Sequence, residues 1–312
     1  MIDRSVQTIL QPTLDYLKRG ELEQSHVSLE RILEHDLENA QVLYTIKGVN
    51  FWRDRVQYAM TFSDDFLRGE YLVSQWKPFL AYIREKGEYN EPIIYALKCG
   101  VFILALQFYK TMLTGNNAVH TAEVYRKTGL CYKALGDYDT AIHCLHYALD
   151  IDSSSSAVIA ELADAYAFSG EIRLAKVFFR EAFFKNAAKI ELCFLESEII
   201  CALIDKVTAL GYEQGELLEW IPVYGTLDGV FNVKRELKAL EFGRLKQTIY
   251  ALENELRGQN IENKPILIPR LINYYFWLVD HYANSNAEKS KIDDILLRIK
   301  LLDEKIYDSY IR

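Results

Sequence analysis

AEVYRKTGLCYKALGDYDTAIHCLHYALDIDSSS, residues 122–155, aligns without a gap on the residues that follow it, SAVIAELADAYAFSGEIRLAKVFFREAFFKNAAK, residues 156–189. Gly129 falls on Ala163, Tyr132 on Tyr166, Gly136 on Gly170, Asp137 on Glu171, Ala141 on Ala175, Leu145 on Phe179 and Ala148 on Ala182. Small, aromatic and turn positions recur in phase, so the segment reads as two stacked copies of one unit. A unit this short cannot bury its own apolar face. It must share that face with its neighbours, and the product is an extended binding surface rather than a closed pocket.

The residue types fit a pair of helices joined by a tight turn. Ala141, Ala148, Ala163, Ala175 and Ala182 are short side chains on helical stripes that let backbones approach, while Leu145, Phe179, Tyr132 and Tyr166 fill the spaces between them. Gly136 and Gly170 stand where the first helix must stop, a position that commonly takes a left-handed backbone. The acidic residue after each then opens the second helix, where the positive end of the dipole favours it. The same Gly-acidic-apolar triplet recurs at Gly20, Gly69, Gly87 and Gly215 with irregular spacing, and turns are expected at Gly20 and Gly69. Around Gly20, Tyr16, Leu29 and Ile32 keep the offsets that Tyr132, Leu145 and Ala148 keep from Gly136.

With Gly129, Tyr132, Gly136, Asp137, Tyr138, Ala141 and Ala148 in place, the first unit resembles a tetratricopeptide (TPR) repeat, and the second resembles a more diverged copy. Tyr125 and Ile159 replace that family's usual tryptophan, and Ser153 and Ala187 its closing proline. The resemblance implies an all-α fold, a right-handed α-solenoid of TPR-like helix-turn-helix pairs with additional capping helices. It also implies a concave groove walled by the first helix of each pair. Glu123, Arg126, Leu130, Lys133 and Ala134 would line it from one unit, and Ala157, Ala160, Asp164, Ala167 and Phe168 from the next. Some TPR domains clamp a C-terminal carboxylate with paired Lys and Asn. Here Leu130 and Asp164 take the places of the asparagines, which argues against a clamp and for an amphipathic helix or extended segment of a partner protein.

Composition agrees with helices. The 312 residues include only 15 Gly and 6 Pro, which leaves little material for tight β turns or phosphate-cradling loops. A formal net charge of -8 without any run of Lys or Arg argues against nucleic acid. The N-terminal MIDRSVQTILQPTLDYLKRGELEQ has neither an apolar signal core nor a small-residue cleavage site, so the expected location is cytoplasmic. The most apolar stretch, residues 100–109 between Lys98 and Lys110, is too short for a transmembrane segment and reads as a buried helix. Five cysteines without CxxC spacing make neither a disulfide framework nor a zinc signature. His143 and His146 could offer one ion two ligands, but no third ligand accompanies them, so neither metal nor cofactor is expected. With no GxSxG, P-loop, helix-opening GxGxxG or HExxH, no enzymatic activity is expected.

Three regions follow. Residues 1–118 hold degenerate helix pairs, with Pro92 opening a helix; residues 119–189 hold the clear repeats; residues 190–312 hold further helices and a cap. IELCFLESEIICALIDKV reads as one helix, as do residues 234–256, 269–282 and 289–310. Between them, residues 211–232 read as irregular, because Pro222, Gly225 and Gly229 should interrupt any helix. Trp220 and Tyr224 in that segment would either fold onto the helices or contact a partner. Together with FWRDR and GEYLVSQWKPF, the segment resembles spirochaete TPR proteins, some of which help assemble the flagellar-motor collar. The expected function is a scaffold or adaptor that binds a protein segment in the groove, and the alternative is a TPR regulator that senses a peptide or small ligand.

Overall fold

A computed structural model describes residues 3–87, 89–114, 121–258, 263–285 and 287–311. They are all-helical, with no strand among the described residues. The chain divides into two compact units, Met1–Ser153 and Ser154–Arg312, so the dividing point falls in the last residues of the first 34-residue copy, just before the second begins. The expected boundary at 118/119 lies outside the described residues.

The first unit contains α1 (Asp3–Lys18), α2 (Leu22–Leu33), α3 (Ala40–Ala59), α4 (Asp65–Ser74), α5 (Trp76–Arg84), α6 (Glu91–Leu113), α7 (Ala122–Ala134) and α8 (Tyr138–Ile151). Its centre is α6, which packs against α1, α3, α4 and α7. Asn90 caps α6 by accepting the Ile93 amide, and Pro92 sits in the first turn as expected. By length and composition this 23-residue helix could cross a membrane, so the apolar stretch extends well beyond residues 100–109. Most of its apolar window is nevertheless buried among its neighbours. A Cβ on Gly100 would lie 2.1 Å from the Leu17 carbonyl oxygen, so α1 and α6 meet backbone to backbone there. Around this axis Trp52, Trp76, Phe79 and Phe102 form an aromatic core with ring centroids 5.3–6.1 Å apart in each contacting pair.

The expected turn at Gly20 is present. Its φ is +77°, and the Glu21 amide donates to the Tyr16 carbonyl while the Gly20 amide donates to that of Leu17. Gly69 is not a turn. It lies inside α4, where a Cβ would come within 2.7 Å of the Tyr109 ring, so its glycine serves close packing. The real helix start is Asp64, whose side chain accepts the Leu67 amide.

The second unit contains α9 (Ser156–Phe168), α10 (Ile172–Asn186), α11 (Glu198–Ala209), α12 (Gln214–Leu227), α13 (Ala239–Arg257), α14 (Lys264–Asn284), α15 (Lys289–Leu302) and α16 (Glu304–Ile311). IELCFLESEIICALIDKV is not one helix: a 3-10 turn at Leu192–Phe194 and extended residues precede Glu198. Residues 289–310 break at Asp303, which is extended. Residues 228–238 cross between α12 and α13 without helix, so helix begins at Ala239 rather than at 234.

The segment expected to be irregular is largely α12, with Pro222 inside it. Gly225 does not interrupt the helix because it answers a packing demand: the Phe231 ring occupies the space within 2.5 Å of where a Cβ would stand. The Phe231 amide also donates to the Gly225 carbonyl at 2.7 Å, which folds the following chain back on the helix. Burial of Trp220, Ile221, Val223 and Phe231 then outweighs the hydrogen bond that Pro222 cannot make.

Candidate functional site

The two repeats form hairpins α7–α8 and α9–α10 with matching first-helix caps and matching turns. Thr121 accepts the Val124 amide and, at the same place in the second copy, Ser155 accepts the Val158 amide. Gly136 and Gly170 have φ of +84° and +86°. The Asp137 and Glu171 amides reach back to the Tyr132 and Tyr166 carbonyls at 3.0 and 2.9 Å, and the two glycine amides to Lys133 and Ala167. Each turn is thus a Schellman motif. Ala141, Ala148, Ala163, Ala175 and Ala182 are all fully buried, as are Leu145 and Phe179, whereas Tyr132 and Tyr166 are half-buried.

The first helices do not present the groove-lining set as expected. In α7, Glu123 is half-exposed, but Arg126, Leu130 and Lys133 are buried. Arg126 grips Glu123 with two hydrogen bonds, at 2.9 and 2.7 Å. Burial alone would raise the Glu123 carboxyl pKa; the Arg126 hydrogen bonds and the nearby charges of Arg126 and Lys127 outweigh it and hold the pKa below the ordinary range. Lys127, which the sequence reading passed over, is almost wholly buried and donates to Glu70 of α4 at 2.7 Å. Arg126, Leu130 and Lys133 are therefore corrected from partner-facing to buried positions.

Asp164 needs the same correction, for a definite reason. Its side chain is fully buried and accepts the backbone amides of Glu196 and Ser197 at 2.9–3.2 Å, immediately before α11. Ser197 makes no side-chain cap of its own, so a carboxylate 33 residues away does that work at the positive end of α11. Of the rest of the expected α9 set, Ala160 is buried, Ala157 and Ala167 are half-buried, and Phe168 reaches solvent at 36% exposure. Ile172 and Leu174, just past the Gly170 turn, are also exposed.

Trp220 and Tyr224 are not a projecting hook. Trp220 is buried and stacks on Tyr212 with ring centroids 4.7 Å apart, and Tyr224 lies 5.8 Å from Trp220. Burial first, and then the hydrogen bond with Tyr212, raises the Tyr224 hydroxyl pKa above the ordinary tyrosine range. Beside them, residues 233–235 are pinned by ionic contacts that the periodicity did not reveal. Arg180 of α10 pairs with the buried Asp280 of α14, donates to the Val233 carbonyl and lies 4.4 Å from the centre of the Trp277 ring. Lys234 reaches the same Asp280, and Arg235 bridges Glu181 and Glu241. The only trace in the sequence is the compact charge string Lys234-Arg235-Glu236 between Val233 and Leu237.

His143 and His146 are exposed on α8 and Cys144 is half-buried, with its thiol pKa raised chiefly by burial. Among the described residues, no three His, Cys, Asp or Glu side chains gather as a metal-binding group. No protein-family model matches the chain, and no curated protein matches it either.

Proposed function

We propose that this chain is a TPR-type right-handed α-solenoid acting as a protein-interaction adaptor, and that its partner segment docks on the repeats with Phe168 as an anchor. The observation that carries this reading is the pair of phase-matched hairpins, alike in first-helix caps, turns and alanine stripes, the second of which leaves Phe168, Ile172 and Leu174 exposed within seven residues around its turn. Apolar groups gathered at a turn suit a partner with apolar anchors. A multiprotein assembly such as a flagellar collar is one setting for such an adaptor.

The test places a photo-crosslinking residue at Phe168 in the full chain, identifies the captured protein, and measures its affinity by titration calorimetry. Phe168→Ala should weaken binding by about 2 kcal/mol with an unchanged melting temperature. Equal affinity for Phe168→Ala and the parent would reject this anchor.

A further inference from the structure

A cleft in the second unit lies between α13, α14 and α15, away from both hairpin turns in sequence. It encloses about 490 Å³, within the range of small-ligand sites. Its floor is apolar, made of the buried Ile249, Leu278 and Ile295. Tyr250, on its wall, is 67% exposed and offers an uncovered ring face.

The charges are unequally committed. Arg298 donates to Glu253 at 2.7 Å and pairs with Asp294 at 3.0 Å, while Glu253 also accepts the Tyr275 hydroxyl at 2.6 Å. Lys246 and Lys291 line the same cleft and make no ion pair among the described residues, and Lys246 lies over the Phe242 ring, 5.5 Å from its centre. Lys246, Lys291 and Arg298 against Glu253 and Asp294 leave one positive charge in excess, in a chain whose net charge is -8.

We propose that this cleft binds a small amphipathic carboxylate. The apolar body lies on Ile249, Leu278 and Ile295, and Lys246 and Lys291 hold the carboxylate. A monoanion neutralises the local excess. A dianionic phosphate monoester would set a second negative charge near Glu253 and Asp294 with no cation left to meet it, and a neutral ligand of the same shape would leave both ammonium groups without a counter-charge.

The probe is octanoate, titrated calorimetrically into the full chain at fixed ionic strength, with octanamide and octyl phosphate as comparisons. Octanoate should bind once per chain with Kd below about 1 mM, and each comparison ligand about tenfold more weakly. The double variant Lys246→Gln/Lys291→Gln should lose about tenfold in octanoate affinity while keeping the parent's melting temperature. Should that variant fold poorly, amide exchange on the parent decides: octanoate should slow exchange in α13 and α15. No octanoate binding, equal binding of octyl phosphate or octanamide, equal affinity in a folded double variant, or protection confined to other helices would overturn the proposal.

Discussion

Hairpins α7–α8 and α9–α10 share a turn but differ in how their ends are held. Both reverse through a glycine of positive φ, and both open their first helix on a hydroxyl cap. At the start of the second helix, however, Asp137 accepts the Thr140 amide, whereas Glu171, one methylene longer, makes no side-chain cap. The first helices diverge more. Where α7 carries Glu123, Arg126, Lys127 and Leu130, α9 carries Ala157, Ala160, Glu161 and Asp164. The repeat therefore conserves what the backbone needs at its turn and leaves the charged positions free to serve the local neighbourhood.

The largest expected break in the comparison is at Asp164, whose first-copy counterpart is Leu130. Asp164→Ala orphans the buried Ser197 amide and should cost about 3 kcal/mol, read as a lowered urea midpoint. Asp164→Asn, which keeps one acceptor oxygen, should recover part of that loss. If Ala costs no more than Asn, the carboxylate is not holding α11.

The alanine stripes should respond alike. Ala148→Leu and Ala182→Leu, at equivalent and fully buried positions, should each destabilise by about 2 kcal/mol through overpacking. A melting temperature equal to that of the parent for either one would break the equivalence of the two copies.

The turns should match as well, with a smaller cost. No atom lies within 4 Å of a Cβ built on Gly136 or Gly170, so alanine there pays only for a left-handed backbone, about 1 kcal/mol in each copy. One step along, the copies should part. Asp137→Ala should cost about 1 kcal/mol by removing a cap, and Glu171→Ala close to nothing. Equal costs at 137 and 171 would show that dipole charge, rather than the hydrogen bond, matters at these sites.

The smallest effect is electrostatic. The Glu123 carboxyl titrates below its ordinary value of 4.5 in the folded chain, so its contribution is present above that value and is lost as pH falls through the lower folded value. Because the side chain is half-exposed, the contribution should stay below about 1 kcal/mol. Glu123→Gln should flatten the acid limb of the stability profile by that amount, while Ala157 gives the second copy nothing to titrate. An unchanged acid limb in the variant would remove Glu123 from the account.

The sequence was most legible where the backbone itself makes demands. Gly136 and Gly170 announced their turns because left-handed geometry admits few residues, and the alanine stripes announced close-packed helices because period and size together leave one arrangement. Gly20 was readable by the same logic. Gly69 and Gly225 were not, since a glycine chosen for a neighbouring ring, Tyr109 or Phe231, looks in sequence like one chosen for a turn. The groove residues failed for a related reason. Helical phase places Arg126, Lys133 and Asp164 on a face but does not say what covers it: Arg126 turns to Glu123 on its own helix, Asp164 to amides 32 and 33 residues away, and a polar side chain buried in either way carries the same letter as one left for a ligand. Phe168 stayed exposed because it lies at the last position of α9, where the turn carries the chain away.

The reach of Asp164 to the amides before α11 has a consequence for modularity. A cassette cut at Lys189, the natural edge of the second repeat, would keep the carboxylate and discard the Glu196 and Ser197 amides that donate to it. The excised or transplanted copy would then hold a buried carboxylate that has lost two backbone donors, and it should be steadied by a substitute donor or a neutral residue at that position. In this chain the unit of duplication is 34 residues long, whereas the smallest exchangeable part that includes the second copy extends at least through Ala209.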